Sequence, residues 1–287
     1  MIPVRALPEI RSAIVAAEHL LPEDQRGTEV TRRHAATLRR APLWWANSDM
    51  TQLAVGAAET LPPWTPMITR PTPTGFMVWN EPIGKFPEAL PGKAFGKKAS
   101  PTLGSALVRA AAWSIDGEMI TFTLYGPVMD EAERARSAPM WHNWFEIGVY
   151  TTFSTHEFDP ALQELGDPYM SKILHVIGAS WLLMQQPTVA TVKRAKASGG
   201  RGAKKKPKKI DTVQIIELRR LATDRTDQPK TPGEGREYHH RWLVRGHWRQ
   251  QRVGPGRKYV RPVYVAPHIK GPDDAPLKTD RVHAWRR

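Results

Sequence analysis

The chain has 287 residues, contains no cysteine and carries a formal net charge of +14. Without cysteine, the sequence excludes disulfides, thiolate zinc sites, iron–sulfur clusters and a cysteine nucleophile. Hydrophobic residues make up 40% and charged residues 24%, proportions that exclude a wholly disordered chain, a collagen-like chain and a coiled coil. The length is sufficient for a buried core, in one large domain or two small ones.

Helical spacing and strand alternation predict mixed secondary structure in the first two thirds of the chain. Helices are predicted at residues 10–21, 29–40, 49–60 and 168–186. Strands are predicted at residues 76–79, 106–115, 118–125 and 141–153. Asp49 is suited to cap the third helix, and Asp116-Gly117 is typical of a hairpin turn. The last helix is apolar around most of its circumference, so we expect it in the core.

The last third of the chain begins with a basic tract. We interpret residues 191–209 as a disordered loop or linker, because Lys, Arg, Gly, Ala and Ser dominate the tract. It contains a lysine run formed by Lys204, Lys205, Lys206, Lys208 and Lys209. Such a run is typical either of nucleic-acid contact or of a linker that its own charge keeps solvated, and both interpretations stay open.

Three further strands are predicted after the basic tract, at residues 211–221, 239–250 and 258–266, and we expect them to form an antiparallel β-meander. The predicted fold class is α+β, with a helical N-terminal region and a central hairpin packed against this meander. The sequence therefore divides into a helical and β region (1–186), a basic flexible loop (187–210) and a basic antiparallel β region (211–287).

The positive charge is concentrated beyond residue 186. Residues 1–186 hold 16 Lys and Arg against 19 Asp and Glu, a formal charge of −3. Residues 187–287 hold 26 against 9, a formal charge of +17. A basic region of this kind favours polyanions such as nucleic acid or the ribosome, and such binding should be sensitive to salt.

Alternation along the predicted strand 239–250 separates an aromatic face from a cationic face. Trp242 and Trp248 fall on the aromatic face and are interpreted as core residues. The cationic face carries Arg241, Arg245, His247 and Arg249, and the following turn adds Arg252, Gly254, Gly256, Arg257 and Lys258. No Asp or Glu occurs between residues 238 and 272. We predict that these side chains contact phosphates and that the two glycines let backbone amides approach one.

A metal-independent ribonuclease or toxin is the enzymatic alternative. His247 would transfer protons while Arg245 or Arg249 stabilises the charge that develops on the phosphorus centre. The sequence has no Walker A loop, no dinucleotide-binding glycine motif, no nucleophile elbow and no zinc-protease motif. We therefore expect neither a metal nor a cofactor. A protein- or peptide-binding module is the third class that the sequence leaves open.

The apolar stretches do not predict a membrane segment. The longest, residues 169–184, is interrupted by Lys172 and His175 and is shorter than the roughly 20 residues that a spanning helix needs. The N-terminus reaches Arg5, Glu9 and Arg11 before any long apolar run, which does not fit a secretory signal. We therefore expect a cytoplasmic protein with no membrane partner.

Three C-terminal motifs resemble a family of proteins from phages, plasmids and conjugative elements. The motifs are Arg245-Gly246-His247-Trp248, Gly254-Pro255-Gly256 and Tyr264-Val265-Ala266-Pro267. The family includes type V-A anti-CRISPR proteins that suppress synthesis of a Cas effector. The resemblance covers about residues 245–287 and implies regulation of a host or competitor gene at the level of its mRNA or translation. RNA is then favoured over DNA as the partner, with the ribosome or a nascent peptide as further possibilities.

Overall fold

The computed structural model describes residues 2–16, 27–88, 104–127, 144–159, 168–197, 211–219, 239, 241–244, 246–270 and 272. The α-helices are α1 (Leu7–Ala16), α2 (Glu29–Arg40), α3 (Ser48–Ala58), α4 (Pro66–Thr69) and α5 (Pro168–Met184). The strands up to α5 are β1 (Leu43–Ala46), β2 (Thr74–Trp79), β3 (Gly84–Glu88), β4 (Gly104–Val108), β5 (Ala110–Asp116), β6 (Met119–Pro127) and β7 (Trp144–Phe153). Those after it are β8 (Ala190–Ala197), β9 (Asp211–Leu218), β10 (Trp242–Val244), β11 (His247–Val253), β12 (Tyr259–Val265) and β13 (His268–Lys270).

A mixed sheet of seven strands forms the centre of the fold, in the order β7-β6-β5-β2-β1-β9-β8. Strand β1 is parallel to both β2 and β9, and the remaining pairs are antiparallel. Three two-stranded ribbons accompany it: β3 with β4, β10 with β13, and β11 with β12. The predicted α+β class is confirmed.

The sheet is covered on both faces. On one face, Leu7 of α1 and Leu38 of α2 share a buried cluster with Phe76 and Val78 of β2. Alternate residues of the same strands, such as Met77, point to the opposite face, where they pack against α3 and α5. The period of two along each strand explains why both faces of β2 are apolar.

Helix α5 lies in the core, as its apolar circumference predicts. Its Trp181 is fully buried and stacks on Phe122 of β6, with the ring centroids 5.6 Å apart. Gly178 lets the helix approach Trp64, because an added Cβ would stand 2.5 Å from Cε2 of that indole. Burial of large rings and aliphatic side chains of this kind is the main stabilising contribution in a domain of this size.

Local signals predicted several elements well. Helix α2 has the predicted bounds, and the hairpin of β5 and β6 turns at Asp116-Gly117, where Gly117 has a φ of 58°. Helix α3 also forms, but its cap differs from the prediction. The Asn47 side chain accepts a hydrogen bond from the Met50 backbone N–H at 2.9 Å, so Asn47, not Asp49, is the N-cap.

The prediction of a loop over the whole basic tract 191–209 is wrong for its first part. Residues up to Ala197 form β8, which pairs with β9 along its length. Its Lys193, Arg194 and Lys196 are exposed, and Lys193 pairs with Glu217 at 2.5 Å. Charged side chains of this kind protect the edge strand of a sheet from pairing with other chains. The lysine run 204–209 lies outside the described residues.

The predicted C-terminal meander is also wrong in its strand pairing. Strand β9 lies inside the large sheet, beside β1, because Val213 and Ile216 bury side chains on opposite faces of the sheet. The predicted strand 239–250 is divided into β10 and β11, which belong to different ribbons. The division falls at Gly246, where an added Cβ would stand 2.1 Å from the Tyr264 hydroxyl oxygen.

Candidate nucleic-acid interface

The antiparallel hairpin of β11 and β12 carries most of the predicted site residues that the structure describes. His247 lies opposite Val265 at one end of the ladder, and Val253 lies opposite Tyr259 at the other. Because directly opposite residues of an antiparallel pair share a face, the register assigns every side chain of the hairpin to one of two faces. We call the face of His247 the outer face and the face of Trp248 the inner face.

The inner face attaches the hairpin to the body of the protein. The indole N–H of Trp248 donates to the Ala57 carbonyl at the end of α3, with a nitrogen–oxygen distance of 2.7 Å. The backbone N–H of Tyr264 donates to the buried side-chain oxygen of Gln186, just beyond α5, at 3.0 Å. The rings of Trp248 and Tyr264 pack edge to face with centroids 5.1 Å apart. Trp248 is partly buried and packs against the core cluster, so it supports the hairpin from its inner side; the side chain of Trp242 lies outside the described residues.

The outer face is cationic and open to solvent. His247 and Arg249 are exposed, and Arg249 donates to the side-chain oxygen of Gln251 at 3.3 Å. Arg261 lies opposite Gln251 on the same face. Since no acid occurs between residues 238 and 272, this face has no carboxylate of its own to neutralise Arg249 and Arg261.

Arg261 is a site residue that the sequence analysis missed. Its guanidinium is partly buried, and its Nη2 is buried with no hydrogen-bond partner among the residues that the structure describes. Burial lowers the pKa of this side chain from its usual value. A partly desolvated guanidinium gains more from a bound phosphate or carbonyl oxygen than a fully solvated one does. The alternation of side chains along β12 could have indicated Arg261, because it places this arginine on the same face of the strand as Tyr259, two residues away.

The tip of the hairpin projects beyond the anchored part. Arg252, Arg257 and Lys258 are all exposed there, as are Gly254 and Gly256. Arg252 lies opposite Val260 and is four positions along the strand from Trp248. Its side chain therefore belongs to the inner face and does not extend the row of His247 and Arg249. The structure thus places one cation of the tip, Arg252, on the inner face and two, Arg257 and Lys258, in the turn.

The turn at the tip has left-handed backbone conformations. Gly254 and Gly256 have φ values of 81° and 64°, which glycine adopts at low cost. Arg257 has a φ of 55°, which is strained for a residue with a side chain. Its backbone N–H donates to the Gly254 carbonyl at 3.0 Å, so that amide is occupied within the turn.

The remaining predicted site residues are separated from the hairpin or not described. Arg241 is half-buried and lies next to β10, outside the ladder of β11 and β12. Arg245 and the lysine run Lys204, Lys205, Lys206, Lys208 and Lys209 fall outside the described residues. The structure therefore brings together His247 and Arg249 with the tip residues, and it adds Arg261 to them.

A second polar cluster lies on the opposite face of the large sheet. The His34 imidazole Nε2 and the Tyr125 hydroxyl are hydrogen-bonded at 2.7 Å. Burial lowers the pKa of His34, and burial followed by the nearby Glu146 carboxylate raises the pKa of Tyr125 well above its usual value. Burial also raises the pKa of Glu146. Each of these shifts favours the uncharged form of its group, and the His34–Tyr125 hydrogen bond joins α2 to β6.

The described part of the chain contains no group of three or more His, Asp and Glu side chains arranged to hold a metal ion. None of the helices that the structure describes combines the length and apolarity needed to cross a bilayer. The sequence matches no protein-family profile. A search of curated proteins found no similar chain. The hairpin and the charge distribution are therefore the features that bear on function.

Proposed function

We propose that the chain binds RNA through the outer face and tip of the β11–β12 hairpin. The observation that carries this proposal is the combination of an anchored inner face and an exposed, acid-free cationic outer face. An Arg or Lys on a rigid strand binds phosphate with a smaller loss of side-chain and backbone entropy than one in a flexible segment. Phosphate contacts of this kind supply affinity and position the nucleic acid, whereas they carry no sequence information.

The charge of the rest of the protein supports the same surface. Residues 1–186 have a formal charge of −3. This part of the protein therefore repels RNA weakly, whereas the basic C-terminal region attracts it. On the edge strand β8, one of the basic side chains, Lys193, is already neutralised by Glu217. The hairpin carries Arg249, Arg252, Arg257, Lys258 and Arg261 with no Asp or Glu in its own segment.

The biological role follows from the C-terminal resemblance. Motifs around Gly246 and Gly254 resemble mobile-element proteins that suppress expression of a target gene, and RNA binding is a direct route to that effect. The protein would then regulate the mRNA or the translation of a host or competitor gene, as an anti-CRISPR-like regulator in the cytoplasm. In the structure, Gly246 contacts the Tyr264 ring and Gly254 shapes the turn, so both glycines support the hairpin directly.

Salt dependence of RNA affinity tests the proposal. In a fluorescence anisotropy titration, log affinity should fall linearly with log salt concentration, with a contribution of about 0.7 to the slope for each single-stranded phosphate contact. The double variant Arg249→Gln, Arg261→Gln should reduce the slope by about 1.4. Its melting temperature should stay close to that of the wild type, because neither side chain forms an ion pair among the described residues.

The control variant is Arg32→Gln, Arg39→Gln on α2. Both side chains are exposed, the charge change is identical, and α2 packs on the opposite face of the large sheet. We expect the control to keep the wild-type slope. Equal slopes for the two double variants would show that charge alone, and not the hairpin, accounts for binding. The enzymatic alternative is checked with the same RNA and protein in EDTA. Cleavage of the RNA by the wild type that is lost in His247→Gln would identify a ribonuclease.

A further inference from the structure

We propose that the hairpin tip selects single-stranded segments, with an unpaired base stacked on Tyr259. This inference rests on the proposed RNA binding and specifies which form of RNA the site accepts. Its starting point is a large aromatic side chain that is 54% exposed at the end of the cationic outer face. Exposed aromatic rings beside cations are the usual combination in surfaces that bind single strands.

The position of the Tyr259 ring is fixed by the turn. A Cβ added at Gly254 would stand 2.8 Å from Cδ2 of Tyr259, so the ring packs directly on the backbone of this glycine. The φ of 81° at Gly254 is in the region that favours glycine. A ring that is already held in place loses little entropy when a base stacks on it, and the turn therefore preorganises the contact.

The cations near Tyr259 are placed to bind the phosphate backbone of the RNA strand whose base stacks on the ring. Arg257 and Lys258 precede the ring in the chain, and Arg261 follows it by two residues on the outer face. Side chains two residues apart in a strand are about 6.8 Å from each other. Arg261 is partly buried on the same face as Tyr259, so its guanidinium is placed to contact a phosphate or a base carbonyl of an RNA strand that reaches the ring.

A duplex does not satisfy this arrangement. The bases of A-form RNA are stacked inside the helix, and its major groove is too deep and narrow for side chains to read. A duplex would therefore offer phosphates to the arginines but no base face to Tyr259. An unpaired strand offers both, so the ring should discriminate between the two forms, whereas the cations should not.

The selection of unpaired bases is tested with one fluorescent RNA oligonucleotide of about 12 nucleotides. Its affinity is measured as a single strand and after annealing to its complement, at one salt concentration. We expect Tyr259→Leu to weaken single-strand binding by about 5- to 150-fold and to leave duplex binding and the salt slope unchanged. Tyr259→Phe is the matched control and should retain the preference, because its ring still stacks. Single-stranded DNA of the same sequence should bind with a similar preference over its duplex, since stacking does not involve the 2′-hydroxyl.

Three results would contradict the inference in distinguishable ways. If single strand and duplex bind equally, and both depend on Arg249 and Arg261, RNA binding stands and the selection of unpaired bases is wrong. If neither form binds, the proposed function itself fails, and Tyr259 is then an exposed ring with another partner. Unchanged single-strand affinity in a Tyr259→Leu variant with wild-type melting temperature would also overturn the stacking contact.

Discussion

The attachment of the hairpin to the body depends on Gln186, and Gln186→Leu is the substitution that tests it. Gln186 is 9% exposed and makes two side-chain hydrogen bonds. Its oxygen accepts from the Tyr264 backbone N–H at 3.0 Å, and its Nε2 donates to the Leu182 carbonyl at 3.1 Å. Leucine has a similar size but no polar atom, so it fills the space and leaves the Tyr264 N–H without its acceptor.

The expected magnitude follows from the burial of that N–H. An unsatisfied buried donor costs about 1–3 kcal/mol, which corresponds to a change of about 5- to 150-fold in an equilibrium constant. Hydrogen exchange is the suitable assay, because it measures local opening. We expect amides of residues 246–265 to exchange faster by about that factor, while amides of β2 and β5 in the large sheet keep their protection.

Gln185→Leu is the matched control for this prediction. Gln185 is the adjacent residue, and its Nε2 donates to the Thr69 carbonyl at 2.6 Å and to the Trp181 carbonyl at 2.8 Å. It therefore joins α5 to the end of α4 and has no hydrogen bond with the hairpin. Equal exchange of the hairpin amides in the two variants would refute the assignment of Gln186 as the anchor of β12.

Three other predictions concern stability. Leu174→Ala removes a fully buried side chain of α5 and should lower the free energy of unfolding by about 2–5 kcal/mol in a denaturant titration. An unfolding midpoint equal to that of the wild type would show that α5 is peripheral. Arg257→Gly removes the strain of a φ of 55° and should raise the free energy of unfolding by up to about 1 kcal/mol. It should also weaken RNA binding. A lower free energy of unfolding would contradict the presence of backbone strain at this residue. Burial lowers the pKa of His34 and of His175 from 6.5, so the unfolded state binds more protons below that pH. Stability should be full above about pH 6.5 and fall as the pH decreases, and His175→Leu should make the fall shallower in urea titrations at several pH values.

The elements that sequence alone predicted well are those whose signals are local. Helix α2 combines a threonine cap, apolar spacing and terminal arginines within 13 residues. The turn at Gly117 needs a positive φ, which Asp-Gly sequences favour. Helix α5 is apolar over four turns. In each case the residues that determine the element are neighbours in the chain, so no knowledge of the tertiary structure is needed.

The elements that escaped prediction depend on distant partners. Strand β1 has four residues and is held between β2 and β9, which lie far away in sequence. Strand β8 has the composition of a linker and becomes a strand because β9 offers it an edge. Propensity is a weak guide where pairing of this kind decides the structure.

The candidate site was predicted in part for the same reason. His247 and Arg249 alternate with Trp248, and this local pattern was sufficient to predict an exposed cationic face. Arg261 joins that face only through the register with β11, and the parity of Arg252 places it on the inner face. Both facts require the cross-strand alignment, which one sequence does not supply.

Crosslinking of bound RNA to the protein, followed by mass spectrometry of the crosslinked peptides, tests the central claim most directly. Ultraviolet light joins an unpaired base to a side chain that it contacts, so the method reports the interface without any substitution. We predict crosslinks within residues 246–270, with Tyr259 as a principal site, and their loss at high salt. Crosslinks confined to α2 or to β8, with none in the hairpin, would contradict the account.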